Sequence, residues 1–262
     1  MAIRIMTGAL GTGLAEQEIV EVERMLARAG RVTLLVSSFR VRDICRRELA
    51  RAGVGLGVDV VTTSEWIGSL WGVLGDGRQL VGGLERKLIM AQVLAEGSEA
   101  GGAGLTPGIV SLHARAAAQC QPYLSEASSL AFGHGSAGTS ASPLLSAAER
   151  ELVETIARYG NKLDAHSLVE PSTAARILAD AMAENAPACA AAIVAHGIDG
   201  FPEHVLAMLN ACAHTGTVLL VADERASSVV AQLAQRFGVV RDIREDDEDV
   251  HILLKRQILC GG

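Results

Sequence analysis

Over its first 75 residues the chain alternates two kinds of apolar spacing. Short runs rich in β-branched residues, Ile3 onward, Val32–Val36 (VTLLV) and Val58–Thr63 (VDVVTT), read as strands buried in a parallel sheet. Between them lie helical periods. Glu16–Ala29 carries Ile19, Val20, Val22, Met25 and Leu26 on one side and acidic residues on the other, and Gly30 is placed to close it. Ser37-Ser38 open a second helix bearing Arg40, Arg42, Arg46, Arg47 and Arg51; Ser64 is read as the cap of a third, Glu65–Leu74. Strand–helix repetition of this kind predicts an α/β domain whose right-handed crossovers put every strand-to-helix turn at one edge of the sheet.

Beyond Gly75 the pattern turns helical. Residues 83 to 97, 106 to 126, Ser146–Tyr159 and Ser172–Glu184 read as helices with no strand among them, and the Gly/Ser/Ala/Thr stretch 127 to 143 reads as a loop. Strand-like runs then return at Ala190–Ala195 and Val218–Ala222, with a helix, Glu203–Ala213, between them. A helix at Ser227–Phe237, a charged turn at Asp242–Asp249 and a short strand at His251–Leu254 complete the expected order. A sheet that resumes after a helical block implies an insertion into the α/β unit. The final RQILCGG carries no stop signal and reads as a point where a longer protein continues.

Composition narrows the class. With 262 residues, a net charge of −7 and a pI near 5.5, the chain lacks the overall basicity of a free-standing nucleic-acid binder, though a local basic stripe is compatible with it. Five scattered cysteines without a CxxC pair read as reduced thiols, and no signal pattern or 18-residue apolar run is visible, so the expected location is the cytoplasm, with no membrane partner.

The chemistry concentrates in Ile3–Ala15, IRIMTGALGTGLA. Gly8, Gly11 and Gly13, with Thr12, stand as in a phosphate-binding loop, G-x-x-x-x-G-K-[ST], between a strand and a helix. The lysine and hydroxyl positions hold Leu14 and Ala15. Backbone amides at such a turn can still hold an anion. Phosphoryl transfer also needs a cation on the terminal phosphates and a hydroxyl on magnesium, and neither residue supplies one. An ordinary tight strand-to-helix turn would use glycines in the same places. The acidic half of a nucleotide-hydrolysing site belongs at the end of a buried strand. Here AAIVA runs into His196-Gly197-Ile198-Asp199-Gly200-Phe201-Pro202-Glu203, which puts His196 at the first position after the strand and Asp199 and Glu203 beyond it. A turn residue and a helix N-terminal acid account equally for those two carboxylates.

These stretches, GALGTG, VTLLVSSFRVRDICRREL, VDVVTTSEWIGSLW, LVGGLERKLIMAQVL and the strand–HGIDGFPEHVLAMLNACA–strand segment Ile193–Val221, resemble the N-terminal helicase-like domain of AddB/RecC-type subunits of bacterial recombination helicase–nucleases. The resemblance implies a P-loop NTPase-like parallel sheet, formed by residues 1–84 with 187–262, and an all-helical insertion at 85–186. It carries Gly8, Gly11 and Gly13 onto the phosphate loop. His196 or Asp199 falls on the acidic position, and neither restores the acidic pair. The function it implies is an ATPase-inactive scaffold of a DNA-repair exonuclease subunit, serving DNA binding and docking of a partner helicase–nuclease subunit, with no resident cofactor. Any nuclease would lie in a C-terminal domain beyond this chain. An active ATP-dependent helicase or nucleotide hydrolase whose lysine comes from elsewhere, and an unrelated α/β binding module, are the competing readings.

The basic cluster is the remaining candidate. Arg40, Arg47 and Arg51 fall near one face of their helix and could contact a DNA backbone; a solvated face paired with Asp43 and Glu48 is the alternative. Trp66 and Trp71 could stack on bases or sit in a core. None of the histidines forms a metal spacing with a cysteine, and His204 and His214 read as surface residues flanking a helix. Ser37-Ser38 lacks the setting of a hydrolase nucleophile.

Overall fold

The computed structural model describes residues 2–8, 13–97, 105–124, 146–184 and 192–223, together with 225, 231, 232, 234 and 235. Gly11, Thr12, the 127–143 loop, most of Ser227–Phe237 and everything expected beyond it lie outside the described residues.

Two compact units emerge, one from residues 1–70 and 177–262, the other from residues 71–176. The first is an α/β sheet unit. Its strands are β1 (Ala2–Gly8), β2 (Val32–Val36), β3 (Val58–Thr62), β6 (Ala192–His196) and β7 (Thr217–Asp223), all parallel, in the order β1-β7-β6-β2-β3. The α/β class and the parallel sheet agree with the sequence pattern. The order differs from a dinucleotide-binding sheet, in which the first strand is flanked by the second and fourth. Here two strands from the far end of the described chain, β6 and β7, enter between β1 and β2. Every residue of β6 is buried, which suits a strand covered on both faces, and each fully buried Val or Leu contributes roughly 1.5–3 kcal/mol.

Helix α1 (Glu16–Ala29) leaves β1 and packs on β6 and β2, burying Val22 and Met25, while the Gly30 amide donates to the Leu26 carbonyl at its end. Its acids do not all face water. Glu18 and Glu21 are buried and Val20 is half exposed, because the stripe that meets the sheet runs through 18, 22 and 25. Glu21 is neutralised there by Arg4, 2.6 Å away, and by Arg24. Helix α2 (Phe39–Arg51) starts from Ser38, whose hydroxyl accepts from the Val41 amide, and packs on β2 and β3. Helix α3 (Thr63–Leu74) is capped by Thr62 rather than Ser64. The Thr62 hydroxyl accepts from the Glu65 amide at 3.3 Å, and the Glu65 carboxylate accepts from the Thr62 amide at 2.9 Å, the reciprocal arrangement of a capping box.

The second unit packs α4 (Gly83–Gly97), α5 (Pro107–Cys120) and α6 (Ala147–Ala165) around Ile89, Met90, Val93, Ala114, Ala117, Ile156, Tyr159 and Leu163. It is not wholly helical as expected. Gln79–Leu80 (β4) and Leu168–Val169 (β5) pair in parallel, a ladder too short to leave a strand period in the sequence. Helix α6 runs to Ala165, beyond the predicted Tyr159, and begins in a capping box of Ser146 and Glu149. Helix α7 (Pro171–Glu184) leads back toward β6, and α8 (Glu203–Ala213) joins β6 to β7 with the predicted bounds. The divisions between units fall inside α3 and α7, earlier in the chain than the expected 84/85 and 186/187. Trp66 and Trp71 are both buried, and the Trp71 indole N–H donates to the Arg78 carbonyl at 2.7 Å, so neither presents a stacking face. Among the described residues, no helix is long and apolar enough to cross a membrane.

Candidate functional site

Because the five strands are parallel, the ends of β1, β2, β3, β6 and β7 share one edge, where open α/β sheets bind ligands. The strand order decides what meets there. With β6 between β1 and β2, the end of β6 emerges beneath the first turns of α1.

His196 is the last residue of β6, paired in register with Val221, rather than the first residue after the strand. Its ring is buried. Nδ1 lies 3.0 Å from both oxygens of Glu18, a carboxylate with no exposed surface. The position where a motor enzyme places a metal-binding acid therefore holds a base. The acid beside it, Glu18, comes from α1 and is already engaged. Gly197 follows with φ 69°, a left-handed conformation that turns the chain out of the strand, and begins a single 3₁₀ turn, Ile198–Gly200. Asp199 lies within that turn. Ile198 and Phe201 are buried, so the apolar residues of the HGIDGFP segment anchor the turn in the core.

At the other side of the edge, Gly8 is the last residue of β1 and pairs with Asp223. Gly13, Leu14 and Ala15 lead into α1; Ala15 sits at its N-cap without a side-chain hydrogen bond, and Leu14 packs against the sheet's core. The Leu14 amide donates to Glu48 Oε2 at 2.6 Å. Glu48 comes from α2 and points at the start of α1 instead of pairing with an arginine. A Cβ at position 13 would overlap that carboxylate as it is placed, and a swing of the flexible Glu48 side chain would relieve the overlap. Cys45, one turn earlier on α2, is buried; burial first, then Glu18 and Glu48, push its thiol up to about 12. A thiol held protonated in this way is no nucleophile at neutral pH.

These groups do not fit a magnesium–triphosphate. Leu14 and Ala15 are aliphatic, a carboxylate faces the amide that a phosphate would need, and His196 faces Glu18. The chain's lysines are Lys87, Lys162 and Lys255; none belongs to the described residues of the sheet unit, and Lys162 pairs with Glu96. Among the described residues, no group of three or more His, Cys, Asp and Glu side chains is placed to hold a metal. A cleft lined by Arg4, Met25, Arg28, Ala192 and Thr217 lies at the opposite, amino edge of the strands.

The arginines of α2 separate into two groups. Arg42 pairs with Glu65 at 2.5 Å and with Asp43, and Arg46 donates to the Val60 carbonyl of β3. Arg40, Arg47 and Arg51 are exposed, and spacings of seven and eleven residues bring them back to nearly one direction on the helix. Arg47 donates to the Asp43 carbonyl at 3.1 Å. Phe39, 58% exposed at the start of α2, lies under the Arg42 guanidinium with 4.8 Å to the ring centroid. At the two ends of α8, His214 is the exposed C-cap residue, whereas His204 is the helix's second residue, half-buried, and burial lowers its pKa.

No protein-family model matches the chain, and no curated protein matches it.

Glu18 and Phe39 escaped sequence reasoning, and Glu48 was read there only as an arginine partner. Glu18 and Glu48 look like ordinary acids on amphipathic helices, and only the insertion of β6 and the approach of α2 give them their partners. Phe39 carried a usable signal, as an aromatic directly after a helix-opening serine.

Proposed function

We propose that this chain is the helicase-like N-terminal part of an AddB/RecC-type subunit of a bacterial recombination helicase–nuclease, working in the cytoplasm as a scaffold that does not turn over ATP. The observation that carries the reading is the pair Glu18–His196 beneath α1, 3.0 Å apart, where a strand-end acid would hold magnesium. Leu14 and Ala15 support it from the loop side. The parallel sheet with its carboxyl-edge loop is a frame compatible with a P-loop fold whose charge chemistry has been replaced.

On this reading, DNA meets α2. Arg40, Arg47 and Arg51 supply cations to phosphates, and Phe39 offers an exposed ring at the same helix. The partner helicase–nuclease subunit docks elsewhere on the scaffold.

Two measurements test the proposal. The purified chain should show no magnesium-dependent ATP turnover; turnover above background defeats it in favour of an active hydrolase. Fluorescence anisotropy with single-stranded DNA should give an affinity that falls with salt. Replacing all three arginines by alanine should flatten the log–log slope by roughly 2, as expected for three lost phosphate contacts on a single strand. An unchanged slope removes α2 as the DNA face.

A further inference from the structure

The amino edge of the sheet, opposite the edge that holds His196, carries a cleft of about 200 Å³ lined by Arg4, Met25, Arg28, Ala29, Ala192 and Thr217. All six residues belong to the sheet unit. Ala192 begins β6, Thr217 begins β7, and the two pair in register, while Arg4 enters from β1. Ala29 and Ala192 carry only methyl groups, which leaves a gap between two side chains that end in guanidinium groups.

The helix side of the cleft follows from period. Glu21, Arg24, Met25 and Arg28 stand at i, i+3, i+4 and i+7, one stripe of α1. Glu21 is the acid of that stripe, and it is shared by Arg4 and Arg24. Counting the stripe with Arg4, three guanidiniums face one carboxylate, an excess of two positive charges. The carbonyl end of α1 offsets roughly half a charge of that excess, so the cleft stays positive. Among the described residues no acid pairs with Arg28, and Glu21 holds only the Nη2 of Arg4. The volume falls below the roughly 300–1,000 Å³ of cofactor pockets, so the cleft suits a ligand of a few carbons and not a nucleotide.

We infer that this cleft is a binding site for a small organic carboxylate, its head held by the Arg28 and Arg4 guanidiniums and its short apolar arm laid against Met25, Ala29 and Ala192. Guanidinium and carboxylate match in geometry, and the Thr217 hydroxyl lines the same space as a further donor. The apolar lining separates this ligand from inorganic phosphate, which has no carbon to bury there. Neither α2 nor the carboxyl edge takes part, so the site stands whether or not α2 meets DNA.

The test follows the backbone amides of the whole chain by NMR as sodium butyrate is added, with inorganic phosphate added in parallel. Butyrate should shift the Ala29 and Thr217 amides saturably with millimolar affinity, and phosphate should bind several-fold more weakly. Arg28→Gln should weaken butyrate binding about tenfold, as for a lost charge-assisted hydrogen bond. Ala29→Leu, which keeps every charge and fills the gap, should abolish it. Both positions are exposed, so both variants should keep the native amide spectrum elsewhere. Absence of a saturable shift with butyrate overturns the inference, and so does equal affinity in the wild type and Arg28→Gln. Phosphate binding as tight as butyrate overturns the carboxylate class, since charge alone would then govern the cleft.

Discussion

Each unit of this protein buries a carboxylate with no exposed surface, and the two are treated differently. In the helical unit, Glu170 receives Arg86 through Nε at 2.8 Å and Nη2 at 2.7 Å, and the Tyr159 hydroxyl at 2.6 Å. In the sheet unit, Glu18 receives the His196 ring. The first arrangement saturates its carboxylate from α4 and α6 and serves as an internal tie. The same contacts raise the Tyr159 pKa, through burial first and then the neighbouring Glu170 charge, so the phenol stays a donor. The second is a sparse pair at a ligand-binding edge. The difference teaches that buried charge alone does not mark a functional site; what marks one is buried charge placed where the fold presents ligands.

The largest effect should come from breaking the saturated tie. Arg86→Leu strands the Glu170 charge with a single hydroxyl donor, and loss of one partner from a buried ion pair costs about 3–5 kcal/mol. Thermal denaturation should register a fall in Tm of about 10 °C, given roughly 2–4 °C per kcal/mol in chains of this size. A fall of only a degree or two would mean that water replaces the guanidinium, and the contrast with the sheet unit would lose its basis.

The sparse pair sharpens the comparison. His196→Leu leaves Glu18 buried without its partner and should cost about 3 kcal/mol. Adding Glu18→Leu should recover most of that loss, because a buried pair replaced by apolar side chains of similar volume is often neutral. The corresponding double change, Arg86→Leu with Glu170→Leu, should recover less, since it orphans the buried Tyr159 hydroxyl. A double-mutant cycle in each unit measures the two couplings, and equal recovery in both would erase the distinction.

Local pattern carried α1, β2 and α8 to their ends and α2 to its start, because apolar period and caps are written in neighbouring positions. The pairings were another matter. Glu18 meets His196 across 178 positions, and that proximity depends on β6 entering the sheet between β1 and β2, an ordering that no local period encodes. Glu48 was legible as an acid on a basic helix, which suggested arginine partners; the approach of α2 to the start of α1 gave it an amide instead. The two-residue strands β4 and β5 were below the length at which alternation can be read. The loss of Lys and Ser/Thr at Leu14 and Ala15 was visible directly, since it is a matter of identity and not of placement.

The smallest predicted effects come from the two capping boxes, one in each unit. Thr62-x-x-Glu65 starts α3 in the sheet unit, and Ser146-x-x-Glu149 starts α6 in the helical unit. In both, the threonine or serine holds the carboxyl below its usual value near 4.5. The Thr62 amide is the leading cause at Glu65, with its hydroxyl, Arg42 and Arg46 adding to it, and the Ser146 hydroxyl leads at Glu149, followed by its amide. A carboxylate whose folded pKa is depressed contributes stability that is fully present above its unfolded value and is lost as pH falls through the folded one. Thr62→Ala removes the hydroxyl half of its box and should cost about 1 kcal/mol at pH 7, a Tm lower by about 2–4 °C. Ser146→Ala should fall short of that, because Glu149 is fully exposed and water competes for every partner. Melting curves from pH 7 to about pH 3 should show the Thr62→Ala deficit shrinking in acid as Glu65 protonates in both proteins. A deficit that holds constant across that range would assign the loss to the hydroxyl's contact with the Glu65 amide and remove the hydroxyl's contact with the carboxylate from the account, leaving the Thr62 amide as the carboxylate's partner.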